Sequence, residues 1–220
     1  MSVVADAVDR VLRGAGAIVF DVGETLVDET RAWTEAAGAV GSTPFTLMGL
    51  LGALIERGED HRGVWELLGV DPPPSPSITA GDLYPDAIPC LAAARSAGLA
   101  VGIAGNQPAG AEEQLRAAQV HVDFVAASAR WGVAKPSAEF FTRVLEEARV
   151  PADRIVHVGD RLDNDVLPAR AAGMRTVLIR RGPWGHVHAT RPEAALADCR
   201  IDSLDGLTRA LERRTSNSVL

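Results

Sequence analysis

The sequence predicts an α/β fold, a mostly parallel sheet covered by helices on both faces, with an extra helical segment inserted early. Three observations predict it. From residue 86 onward, short apolar runs of strand length alternate with amphipathic stretches of helix length. A lone apolar run, "AGAIVF" (15–20), precedes a long helical stretch at 31–69. Between the two parts lies "DPPPSPS" (71–77), through which no helix can continue. Strands alternating with helices need crossover connections, and these give parallel sheets.

The elements follow in order. Val4, Val8, Val11 and Leu12 recur at helical spacing, so residues 3–13 read as an amphipathic helix. "AGAIVF" reads as a buried strand. Within 31–69 the strongest segment is "TPFTLMGLLGALIERG" (43–58), with Thr43 as its cap and Pro44 in its first turn. Its "LMGLLGALI" (47–55) reads as an internal apolar seam. Helices are then expected at 86–98, 108–119, 137–149, 165–173 (despite Pro168) and 203–214. Strands are expected at 99–105, 122–127, 154–160 and 175–180. "GPWGHVH" (182–188) reads as a loop, because no carboxylate or cysteine cluster accompanies its paired histidines. The final "TSNSVL" reads as a frayed tail.

A chain of 220 residues, 47% hydrophobic and 23% charged, suffices for one well-buried domain with a small accessory lobe. The net charge of −7 argues against nucleic acid or an anionic membrane surface as partner. Cys90 and Cys199 do not make a disulfide framework. With no signal peptide and no bilayer-length apolar run, the expected location is the cytoplasm. Composition leaves the oligomeric state open.

Ligands of such sheets bind beyond the carboxyl ends of the strands. There the first strand ends in Asp21, the second in Gly105 and Asn106, and the fourth in Gly159 and Asp160. Lys135 lies in the loop after the third strand and is the single lysine of a chain with 21 arginines. Lysine is a slim point charge where arginine is a wide planar fork, so a crowded anionic site would select it.

In this order the sequence resembles the haloacid dehalogenase (HAD) superfamily of hydrolases. "FDVGETL", "GIAGNQ", "AKPSAEFF" and "VGDRLDND" match its four motifs, and "LYPDAIPCLAAARSAG" (83–98) resembles the segment that returns to its core after a helical cap. The resemblance implies a Rossmann-like three-layer core over 1–27 and 83–220, with a small helical cap at 28–82. It implies a magnesium-dependent phosphatase acting on a small phosphorylated substrate through an aspartyl-phosphate. Asp21 would be the nucleophile. Asp21, the Gly23 carbonyl and Asp160 would hold Mg²⁺, with Asp165 supporting the metal site. Lys135 and the chain at Gly105 and Asn106 would hold the phosphoryl group. The chemistry suits these residues. A carboxylate nucleophile splits the reaction into two easier displacements, and cations must relieve its repulsion from phosphate.

Two positions depart from the family pattern. Its phosphatases carry a second aspartate two residues after the nucleophile, as general acid and base, where this chain has Gly23. Their second motif ends in Ser or Thr, where this chain has Gly105. Losing a general acid costs on the order of 10²–10⁴ in rate, mainly on poor leaving groups. The expectation is an enzyme restricted to activated phosphates, or one whose acid comes from elsewhere: adjacent Glu24, a cap residue or the substrate. Dehalogenases of the superfamily also lack that aspartate, but carry an aromatic residue there and a less acidic fourth motif. A phosphonatase would need a lysine in the cap, which has none. A non-catalytic binder of a phosphorylated ligand or a protein is the alternative from another class.

Candidate substrate contacts from the helical segment are Glu29, Arg31 and Trp33 near its start, and Arg57, His61, Arg62 and Trp65 farther in. Ordinary packing or surface placement is the simpler account of each. Trp131 and His157 read as packed, and Arg161, next to Asp160, is a further candidate contact for which surface placement is the simpler account.

Overall fold

The first apolar run forms the centre of the sheet. The computed structural model describes residues 3–217. Helix α1 (Val3–Leu12) leads into β1 (Ala17–Phe20), all four residues of which are buried. Side chains on a strand alternate between faces. Ile18 and Phe20 join Leu91, Leu207 and Leu211 on one side, while Ala17 and Val19 join Phe140, Phe141 and Val144 on the other. Both faces are covered, which is why the run is continuously apolar.

After β1 come α2 (Thr30–Ala39), α3 (Pro44–Arg57) and α4 (Gly63–Leu68). Thr43 caps α3 as expected, its Oγ1 accepting the Thr46 N–H at 3.1 Å. Pro44 occupies the first turn, where no amide donor is needed. Leu47, Leu51, Leu54 and Ile55 pack with Ala37, Val64 and Trp184 in a cluster separate from the two sheet clusters. Among the described residues no single helix is long and apolar enough to cross a membrane; α2 and α3 reach that composition together but bend by 110° between them.

The chain then runs through α5 (Ala87–Ser96), β2 (Ala100–Gly105), α6 (Ala111–Ala117), β3 (Phe124–Ala127), α7 (Ser128–Trp131) and α8 (Ala138–Ala148). It closes with β4 (Ile155–Gly159), α9 (Leu167–Ala171), β5 (Arg175–Ile179), α10 (Gly182–His188), β6 (Cys199–Ile201) and α11 (Asp205–Asn217). The sheet is wholly parallel, in the order β3-β2-β1-β4-β5-β6. The five expected strands are all present.

Besides the short helix α7, which falls in an expected loop, four details differ from expectation. β6 was not foreseen: with Cys199 and Ile201 buried and Arg200 exposed, it is too short to show a period. "GPWGHVH" is not a loop but helix α10, with Pro183 in its first turn and Trp184 and His188 buried. The helix expected at 165–173 begins with a wide turn, in which the Val166 N–H donates to Arg161 O five residues back, at 3.1 Å. Pro168 then falls in the first turn of α9, where it is tolerated. Finally, α11 runs to Asn217, into the stretch expected to fray; residues 218–220 lie outside the described residues.

β1 is flanked by β2 and β4, from which the chain proceeds outward in opposite directions. That is a topological switch point, and a crevice opens beyond the strand ends there.

Candidate active site

The crevice gathers acidic residues around one ammonium. The Asp21 N–H donates to Val158 O at 2.8 Å, fixing the residue that follows β1 beside β4. Lys135 Nζ donates to Asp21 Oδ1 at 2.5 Å and to Asp165 Oδ1 at 2.6 Å. The Lys135 side chain is only 2% exposed. A planar guanidinium is too wide for a nitrogen that must meet two carboxylates in an enclosed space. Asn106 holds the lysine's backbone from both sides. Its Oδ1 accepts the Lys135 N–H at 2.8 Å, and its Nδ2 donates to Lys135 O at 2.9 Å.

The wide turn after β4 brings Asp165 inward. Its Oδ1 also meets His157 Nε2 at 3.3 Å, and its Oδ2 accepts the Arg161 N–H at 3.1 Å. His157 packs edge-on against Phe141, as expected of a core residue, yet it also orients Asp165. Arg161 pairs with Asp163 and lies 4.9 Å from the centre of the Trp184 ring. Trp131 packs on Phe140, with ring centres 5.2 Å apart.

One ammonium does not neutralise this group. Asp21, Asp160 and Asp165 are all buried, and ligand atoms from the three lie within 4.8 Å of one another. Burial would raise the Asp165 carboxyl, but the Lys135 charge and the His157 contact hold it below the usual range. Burial would lower Lys135, but Asp165 and Asp21 raise it. Burial pushes the Asp21 and Asp160 carboxyls up, Asp160 strongly, and the neighbouring carboxylates add to the effect. An all-oxygen donor set with surplus negative charge fits a hard divalent cation such as Mg²⁺. The sequence placed Asp21, Lys135, Asp160 and Asp165 at this edge, and the structure brings them together.

The chain turns back on itself after Asp21. The Leu26 and Val27 N–H groups both donate to Val22 O at 2.9 Å, and the Glu24 N–H donates to Val27 O at 2.7 Å. This tight turn holds Glu24 at a φ of 51°. The Glu24 carboxylate accepts the Tyr84 hydroxyl at 2.5 Å and the Glu29 N–H at 3.1 Å. Burial raises its pKa and the Tyr84 bond opposes the rise. Glu24 is thus engaged in holding the turn together.

The same turn returns residue 29 to the side of Gly23. A Cβ built on Gly23 would lie 2.4 Å from Glu29 Oε1 and 2.9 Å from its carboxyl carbon. Glu29 Oε2 accepts the Trp33 indole N–H at 3.1 Å, and Trp33 stacks on Trp65 with ring centres 6.3 Å apart. Burial, then the Glu24 charge, pushes the Glu29 carboxyl up to about 7. At the second altered position, a Cβ on Gly105 would lie 3.0 Å from Gln107 Cγ and 3.3 Å from Gln107 Nε2. Gln107, the last residue of the "GIAGNQ" motif, has no role in the sequence reading.

Arg31 anchors the start of α2. Its Nε and Nη2 donate to the two Asp82 oxygens, each at 2.7 Å, and Nη2 also reaches Ser77 O at 2.7 Å. Arg57 and Arg62 pair with Glu59 and Asp60 near the surface. His61 meets the Trp184 ring edge-on.

Known proteins resemble this chain in sequence and in fold. The HAD-hydrolase-like family matches residues 132–206, which include Lys135, Asp160 and Asp165. A glyceraldehyde 3-phosphate phosphatase of Methanopyrus kandleri is 31% identical over 200 residues, covering 76% of this chain and 85% of its own. A haloacid dehalogenase-like hydrolase domain-containing protein 3 of Danio rerio is 31% identical over 61% of this chain, which spans 54% of that protein's length. The crystal structure of a HAD phosphatase from Thermococcus onnurineus superposes with a TM-score of 0.60 at 23% identity, covering 89% of this chain and 97% of the other, a likeness of fold. With a parallel sheet, an acidic switch point and a relative matched along most of both chains, the protein belongs to the HAD-like hydrolases.

Proposed function

We propose that the protein is a magnesium-dependent phosphatase for a small phosphorylated metabolite, acting through an aspartyl-phosphate on Asp21. The observation that carries this reading is Lys135 shared between Asp21 and Asp165, with a ligand atom of Asp160 within 4.8 Å of theirs. A dehalogenase has no use for so acidic an edge, and a binder of anions gains nothing from three buried carboxylates.

Asp21, Asp160 and the Gly23 carbonyl would hold the metal, with Asp165 supporting them. Bound there, Mg²⁺ offsets the charge between nucleophile and phosphate. Asp21 attacks phosphorus in line, the bond to the leaving oxygen breaks, and water then hydrolyses the acyl-phosphate. Lys135 keeps Asp21 ionised and oriented, and presents its charge to a phosphoryl oxygen. Backbone groups at Gly105 and Asn106 hold the other oxygens. Helices α2–α4, within 28–82, act as a cap that covers the reacting group and excludes water. The matched phosphatase relatives support the substrate class.

The test is phosphate release from acetyl phosphate, p-nitrophenyl phosphate and glycerol phosphate, with Mg²⁺ or with chelator, beside Asp21→Asn. Turnover that needs Mg²⁺ and vanishes in the variant is the expected result. Release that ignores both chelator and the variant would refute the reading.

A further inference from the structure

We propose that Glu29 is the general acid and base of this site, standing in for the aspartate absent at position 23. The inference rests on the phosphatase reading above and deepens it. In the structure a carboxylate oxygen lies 2.4 Å from the point where a side chain at 23 would begin. That separation is comparable to the one between an aspartate's own Cβ and its carboxylate oxygens. A carboxylate oxygen thus stands beside Gly23 although its side chain is attached six residues along the chain. The tight turn at 22–27 makes the exchange possible, because it folds the chain back to Gly23. A residue larger than glycine at 23 would displace the Glu29 carboxylate from its present place.

The rest of the side chain's surroundings fit. Its Oε2 is held by the Trp33 indole N–H, leaving Oε1 as the atom beside Gly23. Glu24, the other acidic candidate, is committed to Tyr84 and to the Glu29 backbone. In the first step, Asp21 bonds to phosphorus and the P–O bond to the leaving group breaks. The leaving alkoxide takes the proton of the Glu29 carboxyl and departs as an alcohol. In the second step, the Glu29 carboxylate takes a proton from water as the water oxygen bonds to phosphorus. The P–O bond to Asp21 breaks, restoring the Asp21 carboxylate and releasing inorganic phosphate.

Glu29→Gln tests this cleanly, because glutamine can still accept the Trp33 indole N–H. A purely structural role therefore predicts near wild-type rates, and a catalytic one does not. Expected is a loss of about 10²–10⁴ on glycerol phosphate, whose leaving group needs a proton. With p-nitrophenyl phosphate the variant should release one equivalent of nitrophenolate in a burst and then slow. Intact-mass spectrometry should then show the phosphoryl adduct, mapped to Asp21. The double variant Gly23→Asp/Glu29→Ala, which clears the space and returns the carboxylate to its usual residue, should recover glycerol phosphate hydrolysis at least tenfold over Glu29→Ala. Wild-type rates in Glu29→Gln, or equal losses on both substrates with no adduct, would overturn the assignment. Wild-type protein that releases phosphate from neither substrate would sink the phosphatase reading itself, and this one with it.

Discussion

The two sides of the candidate site are built differently. At the β4 side, Asp160 and Asp165 stand at their own motif positions, both buried, with Asp165 bonded to Lys135, His157 and the Arg161 N–H. At the β1 and β2 side, two motif positions are glycine, and Glu29 and Gln107 reach into the space from farther along. The first arrangement resists relocation because its charges are mutually dependent; removing one member of a buried pair costs about 3–5 kcal/mol. The second tolerates it, because a proton donor or a neutral amide need only arrive at the right point. What such a site fixes is where atoms sit, and its charged half fixes sequence position as well.

The comparison can be broken or sharpened at several places. The largest effect is expected from Asp21→Asn, a loss on the order of 10⁴ or more in turnover; single-turnover kinetics should show no acyl-phosphate. Retained turnover would mean that the buried set does not carry the chemistry. Next comes Lys135→Arg, for which about a 10²-fold loss is expected although the charge is kept. Steady-state kinetics with a thermal melt would check it, and wild-type turnover would show that reach and shape are unimportant there.

At Gln107 and at the Arg31 clamp the effects are smaller. Gln107→Ala should cost about tenfold in kcat/KM with an unchanged melting temperature, as befits one hydrogen bond to an anion. An unaltered kcat/KM would leave the Gly105 gap as mere packing. The smallest effect is expected from Asp82→Asn, which loosens the Arg31 clamp at the start of α2, next to Glu29. Arg31 holds the Asp82 carboxyl well below its usual pKa. Its stabilising contribution is therefore complete above the unfolded carboxylate range and disappears as pH falls through the lower folded value. Wild type should melt a few degrees above the variant at neutral pH, with the gap closing in strong acid. A gap that does not change with pH would show that the pair adds no charge-linked stability.

The sequence was legible where strand ends and charges coincide. Asp21, Lys135, Asp160 and Asp165 could be read together because each follows, or lies just beyond, a strand that the apolar pattern marks. The place of Glu29 beside Gly23 could not be read that way, since it depends on a backbone turn that hydrophobic periodicity does not report, and Gln107, two residues after β2, takes its interest from the missing side chain at Gly105. The usable signal was a glycine at a position that ordinarily carries an acid, followed within one turn's reach by Glu29, already a candidate substrate contact. β6 escaped because three residues cannot show a period, and α10 because its glycines and proline looked like loop punctuation. His157 was read as packing, correctly for its ring contact with Phe141, but its bond to Asp165 depends on the wide turn that follows.

The enclosed lysine has a practical consequence. Residues 1–220 contain no other lysine, so an amine-directed reagent offered to the folded protein meets no accessible lysine side chain. Label arrives at position 135 only when the crevice opens or the fold melts. Its rate of incorporation is thus a single-residue clock for local opening. A bound ligand that holds the crevice shut should slow that clock, which gives a binding assay that needs no knowledge of the substrate's identity.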